Sequence, residues 1–133
     1  MDSKIEHLKM IQGVINRMSI NSFLLKGWSV VFVTALFALA ANNSNVSFIY
    51  IAYFPALAFW ALDGYFLWQE KLYRKKYDKV SEKDNSAIDF SMDTSSVSNE
   101  VDSWDKVVFS KTLRLFHGSV IATILIVMLV VIF

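Results

Sequence analysis

Apolar positions in this chain come in blocks, and the block lengths define the elements. Long apolar runs cover 28–41, 46–68 (interrupted only by Asp63) and 113–133 (interrupted by Arg114 and His117). A hydrocarbon core of about 30 Å takes roughly 20 helical residues to cross. The second and third runs meet that length directly. The first meets it if the span begins near Phe23, with Lys26 reaching the headgroups along its apolar stem. The pattern therefore predicts an all-α membrane protein with transmembrane helices at 23–41, 46–68 and 111–133.

The residues ahead of the first span have a different period. Ile5, Leu8, Ile11, Ile15 and Met18 recur every three or four positions, with Lys4, Glu6, Lys9, Gln12, Asn16 and Arg17 mostly off that line. Such spacing predicts an amphipathic helix within 1–22. Its apolar face suits the membrane surface or a packing partner among the other cytoplasmic parts, and the helix is equally able to run on as a stalk into the first span. Ala38-Leu39-Ala40 resembles a small-residue cleavage site, but the acidic and polar residues before the apolar run do not suit a signal's leading region, so no cleavage is expected. The uncharged link at 42–45, Asn-Asn-Ser-Asn, reads as the turn of a helical hairpin.

Charge then sets an orientation. The formal net charge of +1 is uninformative, because the charges are segregated. Lys71, Arg74, Lys75, Lys76, Lys79 and Lys83 follow the second run, Lys4, Lys9, Arg17 and Lys26 lead into the first, and Lys106, Lys111 and Arg114 lead into the third. Basic flanks stay on the cytoplasmic side. The expected topology is N-terminus inside, 42–45 outside, 69–110 inside and C-terminus outside, in a bacterial inner membrane. Lys71, Arg74, Lys75, Lys76 and Lys79 would then contact anionic lipid headgroups. Residues 81–105 hold seven serines, with six acids and no base from Asp84 to Asp105. They read as a mobile or loosely packed loop whose acidity complements the basic run before it. Alternating Ile88, Phe90 and Met92 offer a short strand as the ordered alternative. The third helix is expected to start near Ser103, a good N-cap, and to run on without a break.

Asp63 is the exception within the second run. With the turn at Asn43–Ser44 as midpoint, Lys26 and Asp63 lie at nearly equal distances from it, so antiparallel helices bring both to the same depth. A charge in hydrocarbon is costly alone and cheaper when paired, which predicts an intramembrane Lys26–Asp63 pair. That pair either locks the hairpin or lines a pathway in an oligomer. Ala52 and Ala56 lie on the track leading to Asp63 and suit close helix packing, and Pro55 is placed to kink the helix. Nine aromatics fall within 46–68. Trp60, Tyr65, Trp68 and Tyr73 suit an interfacial belt, Phe54 and Phe59 helix packing. On the third helix Gly118 and Ala122 form one small-residue pair, Ser119 and Thr123 another. His117 is expected at the interface, solvated or bonded to backbone.

Catalytic chemistry is hard to assemble here. Cysteine is absent, so disulfides, thiolate metal sites and cysteine nucleophiles are excluded. No glycine-rich phosphate loop, metal-spaced His/Asp/Glu group or nucleophile elbow occurs. The acids of 81–105 lack the glycine and spacing of a calcium loop. No enzyme, cofactor, metal or nucleic-acid partner is expected; the basic run directly follows a membrane helix, and anionic headgroups account for it.

The blocks NSFLLKGW (21–28) and FWALDGYFLWQEKLYRKKY (59–77) resemble those of a family of small bacterial inner-membrane proteins met among anti-phage defence genes and mobile elements. The resemblance covers roughly residues 5–80. It implies a membrane effector that assembles when infection is sensed and disrupts or permeabilises the inner membrane. Separately, small-residue faces and little extramembrane mass point to a homo-oligomer in the bilayer. The first reading is thus a self-associating, pore- or channel-like effector. The alternative is a membrane-anchored module whose segment 71–110 recruits or regulates a soluble cytoplasmic partner or responds to a signalling ligand.

Overall fold

The computed structural model describes residues 2–43 and 45–132. Among the described residues five α-helices form: α1 (Ser3–Asn43), α2 (Ser47–Ile51), α3 (Tyr53–Ser81), α4 (Trp104–Val108) and α5 (Lys111–Ile132), with two 3₁₀ turns at Asn85–Ala87 and Ser95–Glu100. Among the described residues no strand forms, so Ile88, Phe90 and Met92 are not in one. Three stretches are long and apolar enough to cross a membrane: Ser3–Asn42, Ser47–Ser81 and Lys111–Ile132.

The N-terminal amphipathic segment and the first span are one helix of 41 residues, with no break at 22 or 23. No proline or capping signal interrupts this stretch, and the helix continues as the stalk. Its buried line differs from the expected one: His7, Ile11 and Ile15 are buried, whereas Ile5 is exposed. The stripe has packed against protein. α1 turns back near Asn45, whose amide bonds the Ala40 carbonyl at 3.2 Å, while its side chain accepts from the Ser47 amide at 3.0 Å. Ser44, within the expected turn, lies outside the described residues.

The second stretch breaks between α2 and α3 at Ala52, three residues before Pro55. Proline has no N–H to return to the Ile51 carbonyl, so one bond of the ladder is missing there. The Ala52 and Ala56 amides still bond the Phe48 and Ala52 carbonyls, and Ala52 keeps helical dihedrals. Ala52 and Ala56 are both buried, and with Val33, Ala40, Ile49 and Ile124 they form the apolar core near the turn. The small-residue track thus packs within the chain. Phe59 lies against Phe32, ring centroids 5.7 Å apart, but Phe54 is 78% exposed and is not in the expected packing.

The third stretch corrects the expected continuous helix. Ser103 precedes the short α4, the chain breaks at Phe109–Ser110, and α5 begins at Lys111. α4 sits across α3 at Gly64: a Cβ there would collide with the Val108 Cγ2 and lie 3.1 Å from its Cα. Only glycine lets the two backbones come so close. The Trp60 indole N–H donates to the Val108 carbonyl at 2.8 Å, and the Trp104 N–H to the Ala61 carbonyl at 3.2 Å. α5 then runs back along α3, with less contact to α1.

At the opposite end from the turn, Ile11, Ile15 and Val80 form a second apolar cluster, joined by Leu8, Tyr73, Tyr77, Ile88 and Met92. Residues 85–100 therefore do not hang loose. Ile88 and Met92 dock as a strap across the α1–α3 pair, Val97 is buried, and Glu100 pairs with Lys79 at 3.1 Å.

Candidate functional site

Between the two apolar clusters lies a polar one built from three helices. Asp63 of α3 is fully buried. Its Oδ2 accepts from the Lys26 ammonium at 2.6 Å and from the His117 Nε2–H at 2.7 Å, and its Oδ1 accepts from the Ser22 hydroxyl. Lys26 also donates to the Ser22 oxygen at 2.9 Å. Ser22 and Lys26 stand one turn apart on α1, so both side chains leave the same face toward Asp63. His117 comes from α5. One carboxylate thus receives donors from both neighbouring helices, which is how a buried charge avoids its desolvation penalty.

The aromatic surroundings fix the imidazole. Trp60 stacks on His117 with centroids 5.8 Å apart and planes at 10°, while Phe116 meets it edge-on at 5.1 Å. Trp60 is itself held by its bond to Val108. Among the described residues His117 Nδ1 is buried without a hydrogen-bond partner, which leaves the ring its bond to Asp63.

The expected Lys26–Asp63 pair is present, but two of its partners escaped sequence reasoning. His117 is neither solvated nor bonded to backbone; it is 1% exposed and tied to Asp63. One signal was available: a histidine interrupting an apolar run needs a polar partner as much as an aspartate does. Ser22 gave no comparable signal, since serines are frequent and its partner depends on how α1 is rotated. The aromatic belt is also corrected. Trp60 points inward, and Tyr73 turns its hydroxyl to the Met92 carbonyl at 3.1 Å, which leaves Tyr65 and Trp68 as outward or half-buried rings.

Within the basic run the side chains divide. Lys71 and Arg74 are exposed, with Arg74 3.4 Å from Glu70, and Lys75 is half-buried. Lys76 is only 7% exposed, so it is no headgroup contact; it helps hold the carboxyls of Asp89 and Asp93 below their usual range. The larger cause in both is a backbone N–H, from Ser91 to Asp89 and from Ser95 to Asp93. Lys79 is taken by Glu100. Gly118 has nothing within 4 Å of where a Cβ would stand, and Ala122 is exposed, so this small-residue pair joins no helices within the chain.

The strap is pinned at a second buried histidine. The His7 Nε2–H donates to the Ser91 carbonyl at 2.8 Å, with its Nδ1 buried and unpartnered. Beside it Phe90 holds a φ of 56°, a left-handed conformation that is uncommon for a bulky residue, and lays its ring 5.6 Å from the imidazole.

Chemically, the Asp63 cluster is suited to holding. Its serine hydroxyl donates to a carboxylate, its lysine is ion-paired, and the clefts between Phe37 and Val131 and along Thr112–Thr123 are lined by none of its four side chains. No group of three or more His, Cys, Asp or Glu side chains that could hold a metal ion occurs among the described residues. Compared with known proteins, the chain matches no protein family, no curated protein and no solved structure.

Proposed function

We propose that this is a multi-pass protein of a bacterial inner membrane that acts without catalysis, by associating with copies of itself as a pore-like or membrane-disrupting effector. The carrying observation is the open side of α5. Gly118 and Ala122 leave room beside the helix, and the exposed hydroxyls of Ser119 and Thr123 spend their hydrogens on the carbonyls one turn back. A cleft of about 230 Å³ adjoins it, between Val33, Thr34 and Phe37 of α1 and Val120 and Thr123 of α5. Small, hydroxyl-bearing faces permit close helix approach in a bilayer, where dispersion rather than the hydrophobic effect drives association. Asp63 is saturated within its own chain, so in this reading it locks the protomer instead of lining a path. The basic residues Lys71, Arg74 and Lys75 favour the cytoplasmic side for 69–110 and the N-terminus, with the C-terminus outside. A role in anti-phage defence rests on the resemblance over residues 5–80.

The chain lacks cysteine, so single cysteines report on neighbours directly. Ser119→Cys in membranes should cross-link between copies, and Phe54→Cys, exposed on α3, should not. Gly118→Leu/Ala122→Leu should abolish both the cross-link and any loss of membrane potential on expression. Equal cross-linking at both positions would sink the assembly reading.

The folded strap over α1 and α3 favours a second reading, a membrane-anchored module that recruits or regulates a soluble partner. Replacing the spans by generic apolar helices separates the two, since only the anchor survives that exchange.

A further inference from the structure

Beside the strap, between α1 and α3, runs a groove of about 590 Å³. Its floor is set by Gly13, which has nothing within 4 Å of where a Cβ would stand. Lys9 and Arg17 stand one turn to either side of it, so the sequence lays cation, glycine and cation along one helical stripe about 12 Å long. Met10 and Val14 continue the floor, and Tyr73 of α3 and Met92 of the strap form the far wall.

The charges of this stripe are not used up. Among the described residues Arg17 has no carboxylate within ion-pair distance, and Lys9 has only Glu6, at 3.8 Å, from a side chain that is 67% exposed. A glycine inside a 41-residue helix is unfavourable by about 1 kcal/mol against alanine. Here that choice opens the volume between the two cations. Arginine and lysine flanking one small volume are the donor set of phosphate recognition, a fork and a point charge. The thioethers of Met10 and Met92 and the face of Tyr73 offer an adaptable apolar wall.

From this geometry we infer that the Lys9–Gly13–Arg17 groove binds a phosphate-bearing ligand with an apolar body. The phosphate lies over Gly13 between the two cations, and the body lies against Met10, Met92 and Tyr73. Arg17 is nine residues from Lys26, about 14 Å along the helix, so both a lipid headgroup and a soluble nucleotide have access. Because Tyr73 also holds the Met92 carbonyl, an occupied groove braces the strap.

The test uses the full chain in nanodiscs of phosphatidylcholine, doped with phosphatidylglycerol in one arm and exposed to ATP in the other, with retained ligands counted by native mass spectrometry. The wild type should retain one molecule of one probe. Arg17→Gln and Lys9→Gln should each weaken retention about tenfold, as expected for the loss of one charge-assisted contact. Gly13→Leu should do the same by filling the floor without changing charge, while Lys106→Gln, exposed on α4 and outside the groove, should have no effect. Retention of phosphatidylglycerol alone identifies a lipid headgroup as the phosphate source, and of ATP alone a soluble nucleotide. Retention of neither probe, or equal retention by wild type, Arg17→Gln and Gly13→Leu, overturns the inference.

Discussion

Two buried histidines, at opposite ends of the chain, hold the molecule in contrasting ways. His117 meets a carboxylate that is also bound by Lys26 and Ser22, in a cluster enclosed by Trp60 and Phe116. His7 meets a lone carbonyl at Ser91, on a strap with a strained Phe90 and short apolar anchors. Both leave Nδ1 buried without a partner. The difference lies in how many other groups depend on each contact. At Asp63 one carboxylate is shared by donors from α1 and α5, so its loss touches all three long helices at once. At His7 a loss frees one segment, and the helices beneath it remain. A rigid centre and a releasable cap are thus produced by the same residue type.

The largest expected effect breaks the centre. Asp63→Ala removes the acceptor of the Lys26 ammonium and the His117 N–H, a loss of about 3 kcal/mol. That is the low end for breaking a buried pair, because Lys26 is 21% exposed and still bonds Ser22. Thermal unfolding in detergent should show a large fall in midpoint. The double substitution Asp63→Leu/Lys26→Met should be less damaging than Asp63→Ala, since it removes both charges; an equal or greater fall would mean that the pair is not the source of stability.

Gly64→Ala comes next, because its methyl would overlap Val108 of α4. Overpacking of this kind costs about 1–3 kcal/mol. Val108→Ala should restore part of the midpoint by removing Cγ2, but not all of it, because the Val108 Cα remains 3.1 Å from the new methyl.

His7→Ala sharpens the comparison. It deletes one hydrogen bond and one ring contact, so about 1–3 kcal/mol should be lost locally. Limited proteolysis should become faster within 85–100 while the unfolding midpoint of the spans stays near wild type. A midpoint shift as large as that of Asp63→Ala would erase the distinction between centre and cap.

The smallest effect is that of acid. The Ser91 and Ser95 amides hold the folded carboxyls of Asp89 and Asp93 below their ordinary unfolded value. Their contribution is complete above that value and lost as pH falls through the lower folded values. Protease sensitivity of the strap should rise only in that acidic range, and Asp93→Asn should blunt the rise.

The architecture was legible where a physical constraint is one-dimensional. Span length follows from bilayer thickness, the missing ladder bond at Pro55 from its lack of an N–H, and the Lys26–Asp63 depth match from equal helical rise on either side of a turn. These quantities are counted along the chain, and the sequence by itself determined them. The rotation of α1 that buries His7 and Ile11 while exposing Ile5, the seating of Val108 on Gly64, and the docking of a polar, serine-rich segment by Ile88 and Met92 were decided only in three dimensions. So was the turn of His117 inward to Asp63. Each depends on how one helix is rotated about its axis and on which neighbour reaches it. The apolar blocks are nearly uniform around the helix in the spans, so no sequence period marks the inward face there. Packing chose it, by bringing every donor that could reach it to a single buried carboxylate.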